Sequence, residues 1–341
     1  MINKSANLTE KLFAKDIPQA PNRDGYGLGV VEAAQKNERV VVMCADLTES
    51  TRNLDFKKHF PNRFIQVGVQ EQFLAAGAAG LALAGKIPFI TSYAMFCPGR
   101  AWEQVRTNIC LNNVKVNIIG SHAGVSVGPD GATHQAIEDI AITRVIPKIT
   151  IIAPCDVNEA RKATLAIVDY PGPCYIRLAR EKSPVFTTPK TPFKIGRAEV
   201  YRQGNDVALI ACGPLVYNAL LAAEELNKKG ISAMVINCHT IKPLDQNIIL
   251  DTAKNCGAVV TIEEHQIAGG LGGAVAELLA QHLPTPQEFI GIHDKFGESG
   301  KPSELIKHFG MDAKSIARSA MKAVKRKIKI KNYYKAIQFD F

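Results

Sequence analysis

The chain has 341 residues, 46% of them apolar and 21% charged, which is the composition of an ordinary globular protein long enough for two domains. It contains no run of about 18 uninterrupted apolar residues, and its opening MINKSANLTEKLFAKDIP lacks the apolar core of a signal sequence, so a cytoplasmic protein with no membrane partner is expected. The net charge of +9 is local: residues 322–341 hold seven Lys/Arg against one Asp, or +6, which leaves a nearly neutral body and argues against nucleic acid as a partner.

In chain order, residues 1–20 read as an N-terminal extension. β-rich runs follow at 39–44, 63–67, 87–91, 114–119, 149–152 and 174–178, with helical patterns between them at Glu71 to Ala84 and Ala101 to Leu111. Strands spaced by helix-length connections predict a mainly parallel sheet flanked by helices, here over 21–185. The stretch 183–193, SPVFTTPKTPF, is rich in Pro and Ser/Thr and places a linker at 186–193. Alternation resumes at 206–211, 231–236, 258–262 and 289–292, giving a second, smaller α/β domain over 194–321 and a basic tail at 322–341. The eight cysteines form no C-x-x-C pair and mostly sit inside apolar runs, so they read as buried free thiols.

Two stretches carry candidate chemistry. In RFIQVGVQEQFLAAGAAGLALAG, a strand, a turn at Gly68 and a helix opening at Glu71 follow one another. A carboxylate in a first helical turn commonly offsets the helix dipole, but the next turns are almost wholly Ala, Gly and Leu, so Glu71 is expected to point into an apolar site where it shares a proton with a ligand base. The second stretch, GSHAGVSVGPDGATHQAIED, sets His122, Asp130 and His134 among glycines, as a loop built to approach a ligand closely. A metal site is not expected there, because the two histidines stand twelve residues apart with no third His or Cys near them. The GGLGG at 269–273 lacks a full phosphate-loop spacing and reads as a close-packed turn.

Taken together, the strand–turn–Glu71–Gln72 unit, TSYAMF, RAWEQVR, GSHAGVSVGPDGATHQAIED, YIRLAR, GRAEV, HTIKPLD and FGESGKPSELIKHFG resemble, in order, the pyrimidine-binding and C-terminal domains of transketolases over about 20–320. The resemblance implies a thiamine diphosphate enzyme that reversibly moves a two-carbon ketol unit from a ketose phosphate to an aldose phosphate, as in the pentose phosphate pathway. It implies that Glu71 hydrogen-bonds the aminopyrimidine ring and favours the tautomer that activates the cofactor. Tyr93 and Phe96 match positions that pack on that ring, and His134 a position that relays protons beside cofactor and substrate. Asp130 matches an acceptor of a substrate hydroxyl, and Arg23, Ser50, His122 and Arg180 the set that grips the sugar phosphate.

The Mg²⁺-binding Gly-Asp-Gly with a later Asn is mimicked by Asp130-Gly131 and Asn158, but Pro129 replaces the first glycine, so no metal ligand is assigned here. The resemblance therefore implies a split enzyme. A separate N-terminal subunit would carry the diphosphate and Mg²⁺ site, with two copies of each chain and self-association across a dimer interface. Deoxyxylulose phosphate synthase and the beta subunit of a 2-oxoacid dehydrogenase are the alternatives within the class; His122 with the two arginines favours sugar phosphates over either.

Overall fold

The computed structural model describes residues 1–337, with side chains described to 329. The chain forms two parallel-dominated sheets flanked by helices, as expected. The first has seven strands in the order Thr240–Lys242, Thr150–Ile152, Cys174–Arg177, Asn117–Ser121, Ile87–Tyr93, Val40–Cys44 and Phe64–Gln66. All its pairings are parallel except that of Thr240–Lys242, which runs antiparallel to Thr150–Ile152. Inner strands such as VVVMC at 40–44 are buried along their whole length, which is why they read as continuous apolar runs rather than alternating ones.

The second sheet has the order Gln287–Ile292, Val259–Gln266, Val207–Ala211, Ala233–Asn237 and Glu199–Arg202, the last strand antiparallel. Two features tie the sheets together that periodicity does not display. Thr240–Lys242, within the HTIKPLD stretch, leaves the second unit to edge the first sheet. The N-terminal residues do the reverse: Ala6, Leu12 and Ile17 join the apolar core around Tyr201, Val235 and Leu220, and only then does Gln19–Pro21 pair with Lys182–Pro184.

The expected helix from Ala101 to Leu111 is a short α-turn, Trp102–Gln104, followed by a wider π-helical stretch at Val105–Leu111. A separate wide turn at Met95–Arg100 precedes it, with Cys97 extended and Pro98 inside. This geometry brings Arg100 onto Glu71 and over the Phe96 ring. The helix Ala313–Ile337 runs through position 321 without a break, so the start of the basic segment is docked. Lys322 and Arg326 bond Glu288, and Lys327 donates to the carbonyl of Cys256 at 2.6 Å. The remainder of the expected tail, with its two tyrosines, lies outside the residues whose side chains are described. All eight cysteines are buried and free.

Candidate active site

The helices Asn22–Lys36 and Val157–Asp169 pack with almost no space between backbones. A Cβ at Gly25 would lie 2.0 Å from the carbonyl oxygen of Val157, and one at Gly29 2.8 Å from Thr164 Cβ. That contact fixes the first turn of the Asn22–Lys36 helix, from which Arg23 projects. Opposite it, residues 45–53 form a loop secured from below by a buried polar cluster: Tyr26 donates to Asn53, and the Asn53 amide donates to the hydroxyls of Thr51 and Thr91 at 2.7 and 2.6 Å. The loop holds Arg52 in the left-handed region, φ 63°, and Arg52 Nε donates to Asp24 at 2.6 Å. The Arg23 guanidinium donates to the Ser50 carbonyl at 2.6 Å, so Ser50 contributes its backbone to this contact.

Arg23 also lies 3.2 Å from His122 Nε2. A guanidinium only donates, so Nε2 accepts, and the ring proton sits on Nδ1 and is given to Ser121 Oγ at 2.8 Å. His122 is thus a neutral imidazole of fixed tautomer. Burial, then the charges of Arg23, Arg180 and Arg52, push its pKa from 6.5 down to about 2. Its backbone is also left-handed, φ 57°, a conformation that costs about 1 kcal/mol and persists where surrounding structure enforces it. The ring stacks on Tyr93 with centroids 3.8 Å apart, Tyr93 stacks on Phe96 at 6.0 Å, and His134 meets Phe96 edge-on at 5.4 Å. Thr133 Oγ1 lies 2.9 Å from His134 Nδ1. Arg180 donates to the Val127 carbonyl at 2.7 Å and reaches Asp130 at 3.3 Å.

Glu71 opens its helix after the Gly68 turn, φ 74°, and is buried, 2% exposed. The apolar surroundings expected from sequence are incomplete. Arg100, half exposed and lying over the Phe96 ring at 4.6 Å, donates to Glu71 Oε2 at 2.8 Å, and Ser92 Oγ approaches Oε1 at 3.5 Å. Arg100, Ser92, Ser121 and Arg52 had no sequence signal of their own. Each is an ordinary residue type made significant by which strand or turn lands beside it.

The structure therefore gathers Tyr93, Phe96, His122 and His134 into one aromatic wall, sets Arg23 between the Ser50 carbonyl and His122, and joins Arg180 to Asp130. Two glycines of the 120–139 loop also make room for protein neighbours. A Cβ at Gly124, φ 87°, would lie 2.4 Å from the Glu264 carboxyl, and one at Gly131, φ 74°, 2.5 Å from Ser299 Oγ. They admit close approach of the second domain. At the GGLGG turn, the N–H groups of Leu271 and Gly272 donate to the Glu263 carboxylate at 2.7 Å each, so the helix end that a phosphate would occupy carries an internal anion, as a close-packed turn requires. Asn158 donates its amide to the Thr187 carbonyl, and among the described residues no group of three or more His, Cys, Asp or Glu stands ready to hold a metal.

A buried carboxylate is the acceptor a protonated ring nitrogen of an aminopyrimidine needs, and the faces of Tyr93 and Phe96, linked to Glu71 through Arg100, suit a flat ring, so the residues present fit the ring half of thiamine diphosphate.

Two family models match the chain: transketolase, pyrimidine binding domain, over residues 19–185, and transketolase, C-terminal domain, over residues 196–316. A Methanocaldococcus jannaschii protein, named as a candidate transketolase C-terminal section, is 44% identical over 307 residues, spanning 89% of this chain and 96% of its own length. The 6-deoxy-6-sulfo-D-fructose transketolase subunit SqwH of Clostridium sp. strain MSTE9 is 40% identical, over 89% of this chain and 95% of its own length. Among solved structures, a split gene transketolase in an inactive beta4 tetramer superposes with a TM-score of 0.84 at 41% identity, over 89% of this chain and 98% of that one.

Proposed function

The chain belongs to the transketolase family, and from that premise we propose that it is the C-terminal subunit of a split transketolase, moving a two-carbon ketol unit between sugar phosphates with a separate N-terminal subunit. The observation that carries this reading is the meeting, at one end of the seven-stranded sheet, of buried Glu71, the Tyr93–Phe96–His122–His134 wall and the guanidiniums of Arg23 and Arg180. The near-complete coverage of relatives named as sections or subunits supports the split. We assign the pyrimidine-binding unit to 21–185 and the C-terminal domain to 194–321.

The family uses thiamine diphosphate, which when bound supplies a carbon nucleophile toward the ketose carbonyl. Glu71, steadied by Arg100, holds a proton at the ring nitrogen, and Tyr93 and Phe96 orient the ring. His134 moves a proton at the donor's reacting hydroxyl, and Asp130 accepts from another. Arg23, Arg180, Ser50 and neutral His122 hold the phosphate dianion, two charged forks with a hydroxyl and an N–H donor. His122 reaches that role by turning its Nδ1–H from Ser121 toward the ligand, since its Nε2 faces Arg23.

The diphosphate and its Mg²⁺ belong in this reading to the N-terminal subunit, in a cytoplasmic assembly of two copies of each. Exposed Phe73 and Leu83 on the Glu71–Leu83 helix, with Val69 before it, supply an apolar face suited to self-association. The deciding experiment co-expresses the chain with a subunit bearing a Gly-Asp-Gly and a later Asn, then assays ketol transfer from xylulose 5-phosphate to ribose 5-phosphate with thiamine diphosphate and Mg²⁺. Transfer by the pair, absent from either chain alone, is the expected result. Full activity of this chain alone overturns the split, and CO₂ release from pyruvate in place of transfer reassigns the reaction.

A further inference from the structure

A cavity of about 470 Å³ lies between the two domains, and none of the residues assigned above to cofactor or substrate lines it. Its volume is that of a small-molecule site. Ala179 and Pro184 from the first domain and Leu215 and Ile306 from the second form apolar walls. Set into these walls are Glu264, Ser126 and Ser183, which are 4%, 8% and 8% exposed.

The polar groups are incompletely paired. Glu264 Oε1 accepts the Ser126 N–H at 2.5 Å and the nearby Ser126 hydroxyl also favours its charged form, while no other residue among those described bonds Oε2. Ser183 Oγ is buried and likewise without a partner. The nearby guanidinium of Arg177 is committed elsewhere: Nε donates to Asp139 at 2.9 Å, and Nη2 to the backbone carbonyls of Ala136 and Glu264. Asp139 takes the side-chain bond of Arg177, whose charge still acts on Glu264 from nearby. At the mouth, Glu181 and Lys182 offset each other, which leaves Glu264 as the acidic group set into the wall. Burial raises the Glu264 pKa, and a cation that meets its free oxygen offsets the cost of carrying charge there.

We propose that this cavity binds a small primary ammonium compound with an apolar body, its nitrogen donating to Glu264 Oε2 with the hydroxyls of Ser126 and Ser183 as further acceptors. The three N–H bonds of an ammonium match three acceptors, and its carbon chain lies against Leu215, Pro184 and Ile306. An anion would meet Glu264 in repulsion, and a neutral alcohol would leave the charge uncompensated.

The test follows thermal unfolding of the full chain in n-butylammonium chloride, with n-butanol and sodium butyrate at matched ionic strength as controls. The melting temperature rises saturably with the ammonium salt and with neither control, and Glu264→Gln weakens the apparent affinity at least about tenfold. Should that variant fail to fold, Ile306→Trp, which fills the cavity and leaves the carboxylate in place, abolishes the same shift. An equal shift with butanol, a shift indifferent to both substitutions, or no saturable shift in the unaltered chain overturns the proposal.

Discussion

Glu71 brings a negative charge to a site 2% exposed, where its geometry depends on what meets each oxygen. Removing the charge while keeping the shape isolates the proton-holding role. Glu71→Gln is expected to lower kcat of the reconstituted enzyme by at least about 100-fold, the lower range for a positioned acid–base group, with the far-ultraviolet spectrum unchanged. Arg100→Ala is the complementary test of positioning. Although its guanidinium is half exposed, its loss leaves the buried Glu71 carboxylate without its ion partner, so the variant should melt below the parent, while kcat falls by less than in Glu71→Gln and Arg100→Lys restores part of both. Unchanged kcat in Glu71→Gln contradicts the assignment. His122 supplies a pH-dependent test. Its imidazole is held down to about 2, so below pH 6.5 the unfolded chain takes up a proton that the folded site refuses, and this group lowers stability as pH falls. His122→Asn deletes that contribution. The stability advantage of the parent over the variant therefore shrinks by about 2 kcal/mol between pH 7 and pH 5, measured by urea unfolding at each pH. A constant difference would mean that the ring titrates normally in the fold.

At the scale of elements, alternating strand and helix was legible because both faces of the inner strands are covered, leaving continuous β-branched runs such as VVVMC. The Glu71 helix was legible from its Ala/Gly/Leu run, but that run is buried on one side only, with Phe73 and Leu83 left exposed on the other. The glycines of 120–139 were legible as a need for space but not as to what fills it, since a sequence records that a Cβ is intolerable without naming the atom it would strike. The wide helical stretch at Val105–Leu111 was not legible, because it falls inside a segment that reads as one helix, and the Pro98-Gly99 pair in Met95–Arg100 signals a turn without giving its register against Glu71. Gly25 turns this into a prediction with two opposed terms. Within a helix, Gly→Ala favours folding by about 1 kcal/mol through propensity. Here the new Cβ would stand 2.0 Å from the Val157 carbonyl oxygen and 2.9 Å from Ala160 Cβ, which no side-chain rotation relieves. Overpacking costs roughly 1–3 kcal/mol and more against backbone, so Gly25→Ala is expected to destabilise, and to weaken phosphate-sugar binding by moving Arg23. A higher urea midpoint in the variant would show that the two helices can separate at no cost.

At the scale of the whole molecule, the division into two α/β units was readable from the Pro-rich break, whereas the straps across it were not, because each is a short segment whose partner lies far along the chain. The N-terminal residues are the clearest case. They read as an extension, yet the Asn3 N–H donates to the Tyr201 carbonyl at 2.9 Å, Tyr217 donates its hydroxyl to the Leu12 carbonyl at 2.9 Å, and Leu12 is 5% exposed in the second domain's core. The same segment then enters the first domain through the Gln19–Pro21 pairing. Deleting residues 2–13 removes one fully buried leucine, about 2 kcal/mol of apolar burial, and several hydrogen bonds of about 1 kcal/mol each. The expected loss is about 3–5 kcal/mol, read as a lower urea midpoint. Its location is the sharper test. Amide exchange should quicken first in the edge strand Glu199–Arg202, whose own Tyr201 loses its cover, while Val40–Cys44, an inner strand of the other sheet, keeps its protection. Equal acceleration in both strands would mean that the segment braces the molecule as one cooperative body, and no acceleration would mean that its buried leucine contributes nothing to either core.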